Sequence, residues 1–119
     1  MPTAAKHVVL VVEDEALILL NTVDDLKNAG FQVLEAANAD VALRRLREHS
    51  DITHLFSDID LPGALDGLRL AALVQERWPR VHIILTSGHM LPQKFDLPPN
   101  AKFFPKPYRL ADIRASIAR

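Results

Sequence analysis

The chain has 119 residues, 49% of them apolar and 24% charged, a balance that fits one folded domain with a real core and not a disordered chain. The 14 Lys and Arg against 15 Asp and Glu give a net charge of −1, without the clustered cations that nucleic-acid binding needs, and the absence of cysteine removes disulfides, thiolate metal sites and Cys nucleophiles. The apolar stretch before Glu13 is too short for a signal peptide core or a membrane span, so the expected setting is cytoplasmic, away from membranes.

The chain then alternates between two hydrophobic rhythms. "HVVLVV" (7–12) is a continuous β-branched run, which predicts a strand buried on both faces. From Ala16 to Ala29 the pattern is helical, with Leu19, Val23 and Leu26 on one face and Gly30 as the stop. "FQVLEA" (31–36) alternates apolar and polar residues, as an edge strand does. Asn38 can cap a second helix in which Ala39, Leu43 and Leu46 share a face, and "RRLRE" (44–48) reads as its solvated side. "LFSD" (55–58) is the third strand. Asp66 to Trp78 is a third helix, ended by Pro79. "VHIILT" (81–86) and "KFF" (102–104) are strands four and five, and "LADIRASIAR" (110–119) is a last helix with Leu110, Ile113 and Ile117 in line. Between strands four and five, "HMLPQKFDLPPNA" (89–101) holds Pro92, Pro98 and Pro99, so any fourth helix there must be short or irregular. We expect this segment to be a mobile loop able to pass between disorder and order. The five histidines have no metal-ligand spacing and read as surface or strand-end residues.

Strands alternating with helices predict an α/β fold, a five-stranded parallel sheet with helices on both faces. In such sheets ligands bind beyond the carboxyl ends of the strands, where the strand order reverses. For the flavodoxin-like order 2-1-3-4-5 that point lies between strands one and three. Glu13 and Asp14 end strand one, Asp58 ends strand three, Thr86 ends strand four and Lys106 follows strand five, so all converge there. Each has a plainer reading alone: an acidic pair can simply favour a helix N-terminus, and Thr86 can be a helix cap. Together, three crowded carboxylates need a cation, and hard oxygen ligands in an open site suit Mg²⁺. With an ammonium and a hydroxyl added, the set stabilises a transferring phosphoryl group, and Asp58 would be the nucleophile that forms an acyl phosphate.

The acidic pair Glu13-Asp14, the "DIDLP" around Asp58, "LTSG" with Thr86 and "PKP" with Lys106, in that order and spacing, resemble the receiver domain of two-component response regulators of the single-domain, chemotaxis-regulator-like kind. The likeness covers residues 1–119 as one domain. It implies Asp58 as phosphoacceptor, Asp14 as a direct Mg²⁺ ligand with Glu13 assisting through water, and the Asp60 backbone carbonyl as a further ligand. It also implies Thr86 and Lys106 as the switch hydroxyl and its cationic partner, and a cis Lys106–Pro107 bond. The implied partners are a histidine kinase or a histidine phosphotransfer protein as donor and a downstream protein that reads the switch. The chain itself would be a monomer or weak dimer with no turnover beyond its own phosphorylation and dephosphorylation.

Three departures from the family pattern stand out. "PGALDG" (62–67) is one residue longer than the usual loop, Phe103 stands where many members carry Tyr, and the proline-rich segment replaces much of the fourth helix. Phe103 is equally readable as core or as a switch ring. Two other classes compete. A haloacid-dehalogenase-like aspartyl phosphohydrolase shares the paired aspartates, but on its first strand. A flavodoxin-like cofactor binder needs a phosphate-cradling loop after strand one, where this chain has "EDEAL".

Overall fold

The computed structural model describes residues 7–88 and 97–119. The nine elements within them are β1 (Val8–Val12), α1 (Ala16–Asn28), β2 (Gln32–Ala36), α2 (Ala39–Glu48), β3 (His54–Asp58), α3 (Gly67–Arg77), β4 (His82–Ser87), β5 (Lys102–Pro105) and α4 (Leu110–Ala118). All strands are parallel, in the order β2-β1-β3-β4-β5. The expected sheet is therefore present, with β2 at an edge as its alternating pattern requires. The expectations for a short or irregular fourth helix and for a mobile loop concern residues 89–101, of which 89–96 lie outside the described residues and 97–101 form neither helix nor strand.

The strand period of two divides the core. Val8, Leu10 and Val12 face the layer built with Ala42, Leu46, Leu70 and Val74 of α2 and α3. Val9 and Val11 face Leu19, Val23, Leu26, Ile113 and Ile117 of α1 and α4. Both faces of the central strands are thus dry, which is why their sequences read as unbroken apolar runs. On α2 the buried stripe is Ala39, Ala42 and Leu46; Leu43 is only partly buried. An ion pair from Arg114 Nη1 to Asp25 Oδ2, at 2.6 Å, ties α4 to α1.

Element ends follow from capping, and this shifts several sequence boundaries by one residue. Asn38 accepts a hydrogen bond from Val41 N, and Asp66 from Arg69 N, both at 2.9 Å, so Asp66 is the cap of α3 and not its first turn. Trp78 leaves the helix at φ −130°, ψ 68° because Pro79 disfavours the α region before it. Gly30 adopts φ 99°; its N–H donates to Lys27 O, and Phe31 N donates to Leu26 O. This paired closure consumes the backbone of Phe31, so β2 starts at Gln32 and not at Phe31.

Three of the histidines stand at strand ends, as expected, and form a row that the sequence alone did not show. His7, His54 and His82 stand side by side at the amino ends of β1, β3 and β4, with ring centroids 5.4 Å and 4.9 Å apart across the row. His54 is a strand-end residue, yet it is buried, with Nδ1 2.8 Å from Thr53 Oγ1. Burial first, then the charges of His82, His7 and Lys102, push its pKa down to about 4 from 6.5. A depressed folded-state pKa means the unfolded chain binds the extra proton. The stabilisation is therefore present above about pH 6.5 and is lost as pH falls through 4. Between pH 7 and 5 the contribution should fall by about 2 kcal/mol. Urea unfolding of wild type and His54→Phe at both pH values should show a steeper loss in the wild type; parallel losses would contradict this.

Candidate functional site

Parallel strands all end at one rim, so the last residue of each is delivered to the same place. Asp58 is the final residue of β3, in register with Thr86 of β4, and Ser57 before it pairs with Val12. The next residues of the first strand, Glu13 and Asp14, therefore flank Asp58. Carboxylate oxygens of Glu13, Asp14 and Asp58 all lie within 4.8 Å of one another. Glu13 and Asp58 are buried, and Asp14 is exposed.

Each buried charge is met. Asp58 Oδ2 accepts from Lys106 Nζ at 2.8 Å, and Asp58 Oδ1 accepts from Asp60 N at 2.9 Å. Glu13 accepts from Glu15 N at 3.1 Å and lies 3.8 Å from Lys106 Nζ. Burial raises the Glu13 pKa, with Asp58 and Asp14 adding like-charge repulsion; the Glu15 N–H and Lys106 oppose the rise without cancelling it. For Lys106 burial works against the ammonium, yet the hydrogen bond and charge of Asp58, then Glu13, outweigh it and raise its pKa. One lysine thus serves two buried carboxylates, leaving the cluster short of positive charge. Three carboxylates this close, one open to solvent, fit a hard divalent cation that keeps part of its water shell.

Thr86 is 2% exposed, and its Oγ1 has no hydrogen-bond partner among the described residues. It shares with Asp58, Glu13, Thr22, Phe56 and Tyr108 a cavity of about 10 Å³, room for about one water. A buried hydroxyl without a partner beside the Asp58 carboxylate is an unfavourable state that an acceptor oxygen entering there would relieve. The Lys106–Pro107 bond is cis, as expected.

The side chains of two expected residues point away from the carboxylate cluster; for Asp60 the expectation concerned the backbone carbonyl alone, and for Phe103 it left core and switch open. The Asp60 side chain turns to Ser87, whose Oγ donates to Asp60 Oδ2 at 2.8 Å, so Asp60 does not join the three-carboxylate cluster. Phe103 pairs in register with Leu85 and packs against the core layer shared with α3; it does not line the cavity beside Asp58. The rings that do are Phe56 and Tyr108, the latter two residues beyond Lys106. Tyr108 stands edge-on to Phe56 at 5.5 Å and is hydrogen-bonded to Thr22, while burial raises its pKa. Its place after "PKP" was the available signal. Gly67 was missed as well: its N–H donates to Ile59 O at 2.9 Å, and it lies flat against the backbone of Asp58 and Ile59.

Residues 9–118 match the model of the response regulator receiver domain family. The chain belongs to that family. This receiver domain is 37% identical over 82 residues to an NtrX-like response regulator of Rickettsia felis, a match covering 68% of this chain and 17% of that protein. It therefore spans under a fifth of that relative's length. A response regulator receiver protein of Sinorhizobium medicae superposes with a TM-score of 0.88 at 26% identity, covering 98% of this chain and 94% of that one. The response regulator TrrA of Thermotoga maritima, solved in complex with Mg²⁺ and BeF, superposes at 0.79 with 20% identity, over 94% and 96% of the two chains. Membership sets aside the phosphohydrolase and cofactor-binder alternatives. Receiver domains bind Mg²⁺ at an acidic cluster and take phosphoryl groups from histidine kinases, acting as switches and not as ordinary enzymes. Among the described residues no helix is long and apolar enough to cross a membrane.

Proposed function

We propose that this receiver domain, residues 1–119, accepts a phosphoryl group on Asp58 from the phosphohistidine of a histidine kinase or a histidine phosphotransfer protein. The single observation that carries the assignment is the Asp58 carboxylate at a strand end, with one oxygen on Lys106 and the other on Asp60 N. An Asp58 oxygen attacks phosphorus, the N–P bond breaks, and its electron pair stays on the donor imidazole. Asp14 and Asp58, with Glu13 through water and the Asp60 carbonyl, would hold Mg²⁺, which would neutralise charge on the transferring group. Lys106 then follows the new phosphoryl oxygens, and the Thr86 hydroxyl gains the acceptor it lacks. A shift of Thr86, with Phe103 on the neighbouring strand, would present a different surface to a downstream protein. The setting we infer is the cytoplasm, with the chain as a monomer or weak dimer.

Acetyl phosphate can stand in for the donor. With Mg²⁺ the intact mass should rise by one phosphoryl group, and with excess EDTA it should not; phosphorylation that ignores EDTA would overturn the reading. Mg²⁺ at ten times its Kd should also stabilise the fold by about 1.4 kcal/mol, roughly 4–7 °C in Tm. Asp14→Ala should remove that rise. Without metal, the same variant should melt at or above wild type, because one of three crowded negative charges is gone. A Tm rise that survives in Asp14→Ala would count against the assigned ligands.

A further inference from the structure

The opposite rim of the sheet carries a second polar site. Beneath the amino ends of β4 and β5 lies a cavity of about 130 Å³, lined by His54, His82, Asn100, Lys102, Ser116 and Arg119 together with two isoleucines of β4. No carboxylate side chain is among its lining residues. Lys102 and Arg119, both exposed, make none of the ion pairs among the described residues, so their side-chain donors are open to a ligand, although Arg119 also brings the α-carboxylate of this chain. Ser116 Oγ is buried without a hydrogen-bond partner, an unfavourable state for a hydroxyl unless a ligand completes it. The depressed pKa of His54 has the same origin in part, since His82, His7 and Lys102 add positive charge there.

We propose that this cavity binds a small oxyanion, inorganic phosphate or a short dicarboxylate, independently of the phosphoacceptor site. Two cations, an amide and a free hydroxyl form a donor-rich lining that suits carboxylate or phosphate oxygens. The volume is well below the roughly 300 Å³ at which pockets for drug-sized ligands begin, which excludes nucleotides and favours a single small ion. The carbonyl end of α4 and the α-carboxylate of Arg119 border the cavity and oppose an anion, so binding rests on the Lys102 ammonium and on the directed donors of Arg119, Asn100 and Ser116.

The test is a titration of the full chain by NMR with inorganic phosphate, and separately with succinate, at constant ionic strength set by chloride. Saturating shifts at Lys102, Ser116 and His82, with half-saturation on the order of millimolar or tighter, are expected for at least one of the two anions. The two arms tell phosphate from carboxylate. The His54 ring should titrate at a higher pH once the anion is bound. Lys102→Gln should weaken binding about tenfold or more, and Ser116→Ala should weaken it without unfolding the chain. Phosphorylation of Asp58 should be unchanged in Lys102→Gln. Shifts that fail to saturate with either anion, that persist unchanged in Lys102→Gln, or that fall only at Thr86 and Lys106 would overturn the proposal.

Discussion

Asp58→Asn should take up no detectable phosphoryl group from acetyl phosphate and Mg²⁺, whereas Asp60→Asn should retain most of the wild-type level. The two aspartates are two residues apart, and their chemistry differs because the strand ends between them. Asp58 closes β3, so its carboxylate is held within the rim, 5% exposed, between Lys106 Nζ and Asp60 N. Asp60 lies beyond the strand and spends one carboxylate oxygen on Ser87 Oγ. An amide at 58 keeps the shape but loses the anionic oxygens, held by Lys106 and Asp60 N, that the proposed transfer uses. An amide at 60 keeps both the backbone N–H that orients Asp58 and the backbone carbonyl proposed for the metal. Comparable phosphorylation of Asp58→Asn and wild type, read by intact mass, would contradict the assignment.

Gly67→Ala should cost about 3 kcal/mol or more of folding stability and slow phosphorylation together with it. A Cβ at this position would lie 2.2 Å from Asp58 O, 2.6 Å from Ile59 Cα and 2.9 Å from Asp58 C. All three are backbone atoms, so no side-chain rotation relieves the clash. Either α3 lifts from the sheet, breaking the Gly67 N–H bond to Ile59 O, or the Asp58–Ile59 backbone moves. Urea unfolding is the check. A loss under about 1 kcal/mol would mean that α3 can dock without this close approach.

The sheet order and the position of the site were legible because each depends on local pattern. Val8–Val12 and Leu55–Phe56 read as buried strands because both faces of the sheet are covered, and Asp58, Thr86 and Lys106 read as a site because each sits where a strand stops. What escaped depends on register between distant segments. His54 looks like any strand-end histidine until parallel pairing sets His82 beside it and His7 on its other side. The Ser87 bond to Asp60 spans 27 positions and exists only because β4 lies against β3. Gly67 is visible as half of "DG", but its purpose is a contact with backbone eight and nine residues earlier, which periodicity does not encode. Phe103 against Tyr108 is a similar case: which ring faces the cavity follows from strand orientation and the turn after Lys106, not from residue type.

The central claim, that Asp58 carries the phosphoryl group, is tested most directly by mapping it in the wild-type chain. After phosphorylation with acetyl phosphate and Mg²⁺, borohydride reduction converts the aspartyl phosphate to homoserine, which tandem mass spectrometry locates in the peptide. The account predicts homoserine at position 58 and nowhere else. Homoserine at position 60 or 14, or a product lacking it altogether, would contradict it.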